Sequence, residues 1–244
     1  RGRVLAVAER ATRATAPGAL VAVLDHPAGS AAAGTGMVVL LVPADGQEAI
    51  RRTAAVVARE LQSALGGFTF AVGHSRPAGD PADLYRAGQE ALLAANVAEA
   101  VPAGSDEDHG AVLAFEDTGA YRLLLPAMSE DPGELHRFYE ETIAPLVAYD
   151  EQYETDLVAT LETFLDCDGN VANTAGRLFT HRHTIRYRLE RVRELCGHDV
   201  SATEGREKLG LGLKAMRVLG IASPRGPASE PGAKGGKVAR ATEE

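Results

Sequence analysis

The chain lacks the features that mark several other broad classes of protein. It has two cysteines, Cys167 and Cys196, and their spacing indicates neither a zinc cluster nor a redox pair, which fits a reducing cytoplasm. No apolar run approaches the ~18–20 residues that span a bilayer, and no signal peptide is visible. We therefore expect a cytoplasmic protein with no membrane partner.

The composition is that of an ordinary soluble protein. Of its 244 residues, 45% are hydrophobic and 24% are charged, and the length allows one or two domains with real cores. The first residue is Arg1 and not Met, so we expect the chain to be part of a longer one. The net charge of −9 argues against a nucleic-acid partner only globally, because binding depends on local patches.

The first hundred residues alternate between helical and strand patterns. Ile50, Ala54, Val57 and Leu61 recur at helical spacing, and Asp80-Pro81 provides a cap and a first position for another helix. The predicted elements are helix 4–14, strands 19–24 and 37–42, helix 47–65, strand 68–72 and a helix from residue 81. The order predicts a small α+β sandwich.

The remainder is predominantly helical in pattern. A polar loop at 101–110 and a last strand at 111–115 precede helices predicted at 121–128, 133–146 and 153–165. The tail from Ser223 is rich in Pro, Gly and charge, which predicts disorder. We expect four regions: an α+β domain at 1–110, linker strand and helices at 111–152, an all-α DNA-binding domain at 153–221 and a disordered tail at 222–244.

The segment after Thr155 has the outline of a helix–turn–helix. A helix with Leu157, Leu161 and Phe164 on one face ends at Gly169, which provides a C-terminal stop. Asn170 caps a short helix over 171–178. A break at Phe179-Thr180 precedes a longer helix over 181–195, with Thr180 as its expected cap. A short helix, a turn and a longer second helix are typical of this DNA-binding motif.

The net charge of this segment is positive, whereas that of the whole chain is negative. Six arginines and one acid, Glu190, lie between Arg177 and Arg193, a local charge of +5. Ile185, Leu189 and Val192 form a stripe for burial. The residues on or near the opposite face are His183, Thr184, Arg186, Tyr187 and Arg191, and Arg182 lies on its flank. Arginine neutralises phosphates and can pair with the O6 and N7 atoms of guanine. The alternative is a surface helix with a solvated basic face, which the single sign of the charge and the capped short helix disfavour.

The residues expected to contact DNA lie on the short helix and on the exposed face of the longer one. They are Asn173, Thr174, His181, Arg182, His183, Thr184, Arg186, Tyr187, Arg188 and Arg191. A metal site formed by His181, His183, Cys196 and His198 is disfavoured, because residues i and i+2 on a helix point apart. We predict no metal, no cofactor and no catalytic residue.

Residues 170–197 closely resemble the C-terminal domain of PucR/CdaR-type bacterial transcription regulators. The specific core, H-R-x-T-[LI]-R-Y-R-L, stands here as HRHTIRYRL at residues 181–189, and it is also similar to the Fis-type helix–turn–helix. His183 stands where asparagine is common in the family. Asparagine can pair with adenine through two hydrogen bonds, and histidine cannot do so identically. Residues 121–125, 146–150 and 157–165 resemble the linker of these regulators.

Residues 1–100 resemble the GGDEF-like domain of the same family, a degenerate relative of the nucleotidyl-cyclase fold. Active diguanylate cyclases carry Gly-Gly-Asp/Glu-Glu-Phe at the hairpin tip. Here the tip lies near residues 31–36 without a carboxylate, and Asp25 alone is too little for the two divalent ions of phosphoryl transfer. Asn96 lies where those cyclases have a lysine. The resemblance therefore implies no cyclase activity, and ligand binding or dimerisation stays open.

The sequence thus predicts a transcription regulator that binds double-stranded DNA specifically, as a homodimer or higher oligomer, through the major groove. A small-molecule effector stays open as a further partner. Two alternatives remain. One is a nucleotide-binding, cyclase-like sensor module that uses the hairpin around Gly34 and Gly36, and the other is an architectural protein whose binding depends on salt but hardly on sequence.

Overall fold

The computed structural model describes residues 2–24, 37–65, 70–100 and 111–221. The chain divides into two compact units. The first comprises Arg1–Ala144 with His198–Ala222, and the second comprises Pro145–Gly197 in its described part. Within the described ranges, no helix has both the length and the apolar character needed to cross a membrane.

The first unit begins with the predicted order of helix, hairpin, helix, strand and helix. Its elements are α1 (Gly2–Thr15), β1 (Leu20–Leu24), β2 (Met37–Leu41), α2 (Gln47–Ala64), β3 (Ala71–His74), α3 (Leu84–Ala100), β4 (Ala111–Ala114), α4 (Leu125–Glu130), α5 (Pro132–Thr142) and α10 (Thr203–Val218). Asp80 caps the short 3₁₀ turn Pro81–Asp83 before α3 by accepting the Ala82 N–H at 2.7 Å, so this predicted helix start is confirmed.

The strands of the described residues form two separate pairs. β1 and β2 are antiparallel with Leu20 opposite Leu41, whereas β3 and β4 are parallel with Ala71 opposite Ala111 and are connected through α3. Gly73 of β3 lies so close to α3 that a Cβ atom there would stand 2.2 Å from the Ala91 carbonyl oxygen. The glycine therefore permits the close packing of this strand on its helix.

Two clusters of buried side chains stabilise this unit. The first joins α1 and α2 through Val7, Ala11, Val57, Leu61 and Leu65, and Leu40 of β2 contacts it. The second consists of Leu93, Phe115, Leu135, Ala215 and Val218. Asn96 supports the second cluster from α3 by donating to the Val218 carbonyl at 2.9 Å.

The side of the β1–β2 hairpin opposite Leu40 is apolar and exposed. Alternate residues of a strand point to the same side. This outer hairpin face comprises the exposed residues Leu20, Ala22, Leu24, Val39 and Leu41 and the half-buried Met37. A face made of apolar side chains alone is a candidate for contact with another apolar surface.

A buried carboxylate fixes the chain between β3 and α3. Glu90 is fully buried and accepts hydrogen bonds from the Arg76 backbone N–H and guanidinium and from Arg86. Burial alone would raise the pKa of Glu90, but these bonds outweigh it and the pKa lies below its usual value. The Arg76 guanidinium also lies 5.2 Å from the centre of the Phe115 ring.

Several predicted boundaries differ from the structure. The helix expected over 133–146 is two helices, because Pro145 cannot supply a backbone N–H and disfavours continuation of the helix before it. The helix expected from 153 starts at Leu157. The segment before α4 is 3₁₀-helical as far as Leu124. β3 lies three residues beyond the predicted start at 68, and residues 66–69 fall outside the described ranges.

The described part of the second unit contains four helices. They are α6 (Ala144–Tyr153), α7 (Leu157–Asp166), α8 (Val171–Arg177) and α9 (Arg182–Cys196). The compact units divide the chain differently from the predicted regions, since α10 contacts α5 and α3 of the first unit. The predicted region boundaries stay a prediction. The loop at 101–110, the tail at 222–244 and the hairpin tip with Asp25, Gly34 and Gly36 lie outside the described residues.

Candidate nucleic-acid interface

The connection from α7 to α8 reverses the chain in a few residues. Asp168 and Gly169 both adopt left-handed backbone conformations, with φ of 53° and 77°, and the Gly169 N–H donates to the Phe164 carbonyl at 2.9 Å. The Asn170 side chain then accepts the N–H groups of Ala172 and Asn173. The predicted stop at Gly169 and the predicted cap at Asn170 are both confirmed.

The turn between α8 and α9 is closed by backbone hydrogen bonds. The Thr180 N–H donates to the Ala175 carbonyl at 3.0 Å, so Thr180 still completes the end of α8. The cap of α9 is His181, whose Nδ1 accepts the His183 N–H at 3.3 Å. The prediction of Thr180 as the cap was wrong by one residue for this reason. The His181 and His183 rings also stack, with centroids 5.1 Å apart.

The buried side of α9 is the one that the sequence predicts. Ile185 and Val192 are fully buried and Leu189 is nearly so. α9 contacts α7 and α8, which contribute the buried side chains of Leu161, Phe164 and Ala175 among others. Burial of this stripe fixes which residues of α9 face solvent.

Six of the ten residues expected to contact DNA are exposed. They are Asn173, His181, Arg182, His183, Arg186 and Tyr187. Arg182 and Arg186 lie four residues apart, on the same side of the helix. Neither of them has a hydrogen bond or ion pair with a residue that the structure describes, so both guanidinium groups present their donors to solvent.

The other four residues make contacts inside the unit. Thr174 is fully buried and its hydroxyl donates to the Asn170 carbonyl at 2.8 Å. Arg188 donates to Asp156 at 2.9 Å and to the Thr160 hydroxyl at 3.0 Å. Arg191 pairs with Glu194 at 2.7 Å, and Thr184 is half-buried. We therefore leave Thr174 out of the proposed interface and interpret Arg188 as a positioning residue.

Arg191 is surrounded by groups that favour its charged form. A side-chain hydrogen bond with Tyr187 and the nearby Tyr149 raise the pKa of Arg191 above its usual value. The guanidinium lies 5.4 Å from the centre of the Tyr149 ring, a geometry typical of a cation–π contact. These contacts tie α9 to α6.

Ion pairs redistribute the positive charge that the sequence shows. Four of the six arginines have an acidic partner: Arg177 has Asp166, Arg188 has Asp156, Arg191 has Glu194 and Arg193 has Glu190. The unpaired charge is therefore concentrated in the first half of α9, at Arg182 and Arg186. The first turn of α9 has no acidic residue, and the helix dipole adds partial positive charge at the same end.

The sequence pattern did not indicate the roles of two residues that are important in this unit. Asp150 of α6 is buried and accepts the N–H groups of Leu157 and Val158 and the Thr155 hydroxyl, so it fixes the start of α7. Phe179 lies in the turn before α9 and is 97% exposed.

Within the described ranges, no group of three His, Cys, Asp or Glu side chains is arranged to hold a metal ion.

The role of Arg188 can be tested by truncation. We expect Arg188→Ala to lower the free energy of unfolding by about 1–2 kcal/mol, because it removes hydrogen bonds to Asp156 and Thr160. DNA affinity should fall evenly on all duplexes, and Arg188→Lys should have a smaller effect. Chemical denaturation and binding to a panel of duplexes measure both quantities. A changed base preference with unchanged stability would instead show that Arg188 contacts a base.

Comparison with known proteins matches both parts of the chain to family models. Residues 1–97 match the GGDEF-like domain, and residues 157–215 match the PucR C-terminal helix-turn-helix domain. The helix–turn–helix geometry and these matches define the class of the domain at 157–215: it is a helix–turn–helix domain of the PucR type. The chain belongs to the PucR-type family, with a GGDEF-like domain before the PucR helix–turn–helix domain.

The relatives agree with this family. The chain is 35% identical over 86 residues to the purine catabolism regulatory protein of Bacillus subtilis, and 31% identical over 103 residues to its proline-responsive transcriptional activator PutR. These segments are 35% and 42% of this chain but 16% and 25% of those proteins. The chain thus corresponds to a quarter or less of each curated regulator.

Two further similarities cover more of the chain. An uncharacterized protein encoded in the pkwA 5′ region of Thermomonospora curvata is 30% identical over 138 residues, which are 54% of this chain and 76% of that protein. The crystal structure of a regulator of polyketide synthase expression from Bifidobacterium adolescentis aligns with 89% of this chain and 80% of its own, at 20% identity and a TM-score of 0.34.

Proposed function

We propose that the chain binds double-stranded DNA sequence-specifically through the first half of α9, placed in the major groove. The observation that carries the proposal is the pair of unpaired arginines, Arg182 and Arg186, on one exposed side of a helix whose first turn has no acidic residue. In DNA-binding helix–turn–helix domains, the N-terminal residues of the second helix contact base edges. Membership of the PucR-type family supports the same assignment.

The exposed side chains suit distinct parts of a duplex. A guanidinium with free donors can pair with the O6 and N7 atoms of guanine or bind phosphate. His183 and Tyr187 offer further polar groups at the same face, and Asn173 on α8 is suited to the DNA backbone. We propose Arg186 and His183 as base contacts and Arg182 as a phosphate contact.

We further propose that the protein acts as a homodimer or higher oligomer. A single reading helix covers a few base pairs, and helix–turn–helix dimers bind two half-sites ~34 Å apart. The outer hairpin face supports this proposal, because two copies of one apolar patch can form a symmetric interface.

We propose no enzymatic activity for the GGDEF-like domain. One relative is described as proline-responsive, so a small-molecule effector is proposed as a further partner of this type of regulator.

The experiment is a selection of random duplexes by the intact chain and three variants. We expect a repeated motif for the intact chain. Arg186→Ala should weaken binding to it by about 5- to 150-fold, the loss of one bidentate base contact. His183→Ala should change preference at one position. Arg193→Ala is the matched control, because Arg193 is a 53% exposed arginine of the same helix that pairs with Glu190.

The outcomes separate the proposal from its alternatives. Equal weak binding to all duplexes, governed by salt, would indicate an architectural DNA-binding protein. An equal loss in Arg186→Ala and Arg193→Ala would indicate general charge attraction without base contacts. A single motif without a repeat, bound by one copy, would contradict the homodimer.

A further inference from the structure

Phe179 combines two unfavourable features in the turn before α9. Its side chain is 97% exposed, and its backbone is left-handed with φ of 51°. Single exposed apolar residues are common on protein surfaces and need no explanation by themselves. A left-handed conformation, in contrast, is rare for a bulky side chain and is usually occupied by glycine or asparagine.

The conformation is imposed by the end of α8. The Leu178 N–H donates to the Thr174 carbonyl and the Thr180 N–H to the Ala175 carbonyl, and this second bond spans the turn in the manner of a helix that ends at a left-handed residue. The turn is therefore well defined, and Phe179 occupies the position where glycine would be least strained. The turn thus fixes the backbone position from which the phenyl ring projects, two residues before His181, the cap of α9.

No described residue of the unit explains why this position carries a phenyl ring. A side chain that is 97% exposed buries almost no apolar area, and the backbone conformation is one that a phenylalanine adopts at a cost. Strained residues of this kind cluster at sites of function. The contact that makes use of the ring therefore lies outside the chain's own described residues.

The surroundings indicate what kind of partner the ring meets. It precedes the unpaired Arg182 and Arg186 and the positive end of the α9 dipole, so the partner is polyanionic. Of the groups on a duplex, the thymine methyl in the major groove and the carbons of deoxyribose are apolar and suit contact with a phenyl ring. A protein partner would be favoured by an apolar patch, whereas the two residues that follow Phe179, Thr180 and His181, are polar.

We propose that Phe179 is an apolar DNA contact that flanks the arginine contacts of α9, against a thymine methyl or the deoxyribose carbons beside it. The inference rests on the proposed function and adds a specificity-determining residue to it. The strained turn positions the ring at the mouth of the groove when the first half of α9 enters it. Sequence preference then extends beyond the bases that Arg186 and His183 contact.

The test compares Phe179→Ala and Phe179→Gly with the intact chain on the duplex recovered by selection. We expect about tenfold weaker binding for both variants. Their thermal unfolding midpoints should be no lower than that of the intact chain, because no internal contact is lost and glycine relieves the backbone strain. Leu123→Ala is the matched control, a 77% exposed apolar residue of the first unit whose removal should leave affinity unchanged.

Replacing each thymine of the duplex by deoxyuridine separates the two sources of apolar contact. If one replacement weakens the intact chain but has no further effect on Phe179→Ala, the ring contacts that thymine methyl. If no replacement matters and Phe179→Ala still binds weakly, the ring contacts deoxyribose.

Two results overturn the inference, and they are distinguishable from failure of the proposed function. Unchanged affinity of Phe179→Ala alongside weak binding of Arg186→Ala would show that the helix reads DNA without Phe179. A clear fall in the unfolding midpoint of Phe179→Gly would show that the ring has a structural partner. If the intact chain binds no duplex, both the proposed function and this inference are wrong.

Discussion

Replacing Asp150 by alanine should lower the free energy of unfolding of the second unit by about 2–5 kcal/mol. The carboxylate is 3% exposed and accepts the Leu157 N–H at 2.8 Å and the Val158 N–H at 2.9 Å. The first backbone N–H groups of a helix have no partner within it, and a buried donor left unsatisfied costs about 1–3 kcal/mol. Alanine would leave two such donors and the Thr155 hydroxyl without their acceptor.

The loss of Asp150 should also weaken DNA binding, although Asp150 itself makes no contact with DNA. Asp156 directly precedes α7 and Thr160 lies within it. Both residues hold Arg188, so a frayed start of α7 loosens the support of α9. We expect Asp150→Ala to bind all duplexes weakly and Asp150→Asn, which keeps one acceptor oxygen, to lie between. Glu151→Ala, an exposed neighbour, is the control. Hydrogen exchange at Leu157 and Val158 is the direct measurement, and unchanged protection in Asp150→Ala would refute the assignment.

Substitution of Gly73 by alanine should destabilise the first unit by about 3 kcal/mol or more. The added Cβ would stand 2.2 Å from both the Ala91 carbonyl oxygen and the Ala95 nitrogen. Both atoms belong to the backbone of α3, so no side-chain rotation relieves the overlap and the strand must move off the helix. Overpacking in a core costs about 1–3 kcal/mol and occasionally more, and a clash with backbone belongs at the upper end.

Gly88 of α3 provides a matched control, because its substitution by alanine should raise the stability instead of lowering it. A Cβ there meets nothing within 4 Å, and alanine in place of glycine within a helix gains roughly 0.5–1 kcal/mol. Denaturation of Gly73→Ala, Gly88→Ala and the intact chain under the same conditions measures both changes. Equal stabilities for all three would mean that β3 does not pack closely on α3.

The elements that the sequence predicted well are those with local causes. The Asn170 cap, the Gly169 stop and the buried stripe of Ile185, Leu189 and Val192 depend on residues within one or two turns of each other. The break before Pro145 is equally local, although the pattern of apolar residues predicted one continuous helix there. The cap of α9 was misplaced because the bond that retains Thr180 in the α8 turn is a matter of geometry, which spacing does not show.

The candidate site was predicted less completely, because its charges are set by tertiary contacts. The sequence has six arginines between 177 and 193, but the acid that pairs with Arg188 lies 32 residues away, directly before α7. The burial of Thr174 likewise depends on how α8 packs. The parallel pairing of β3 with β4 joins residues 40 positions apart, such as Ala71 and Ala111, and no local pattern specifies it.

The packing of α10 determines where the chain can be cut into fragments that keep their cores. Its sequence follows the helix–turn–helix, yet Leu209, Leu213 and Met216 are buried in a helix that contacts α5 and α3, and Gly212 lies against Thr142. In chain order, the second unit is thus inserted within the first. A fragment that begins at residue 153 would retain α10 without α5 and α3, against which it packs, and a truncation after Gly197 would remove α10 and its buried side chains from the first unit.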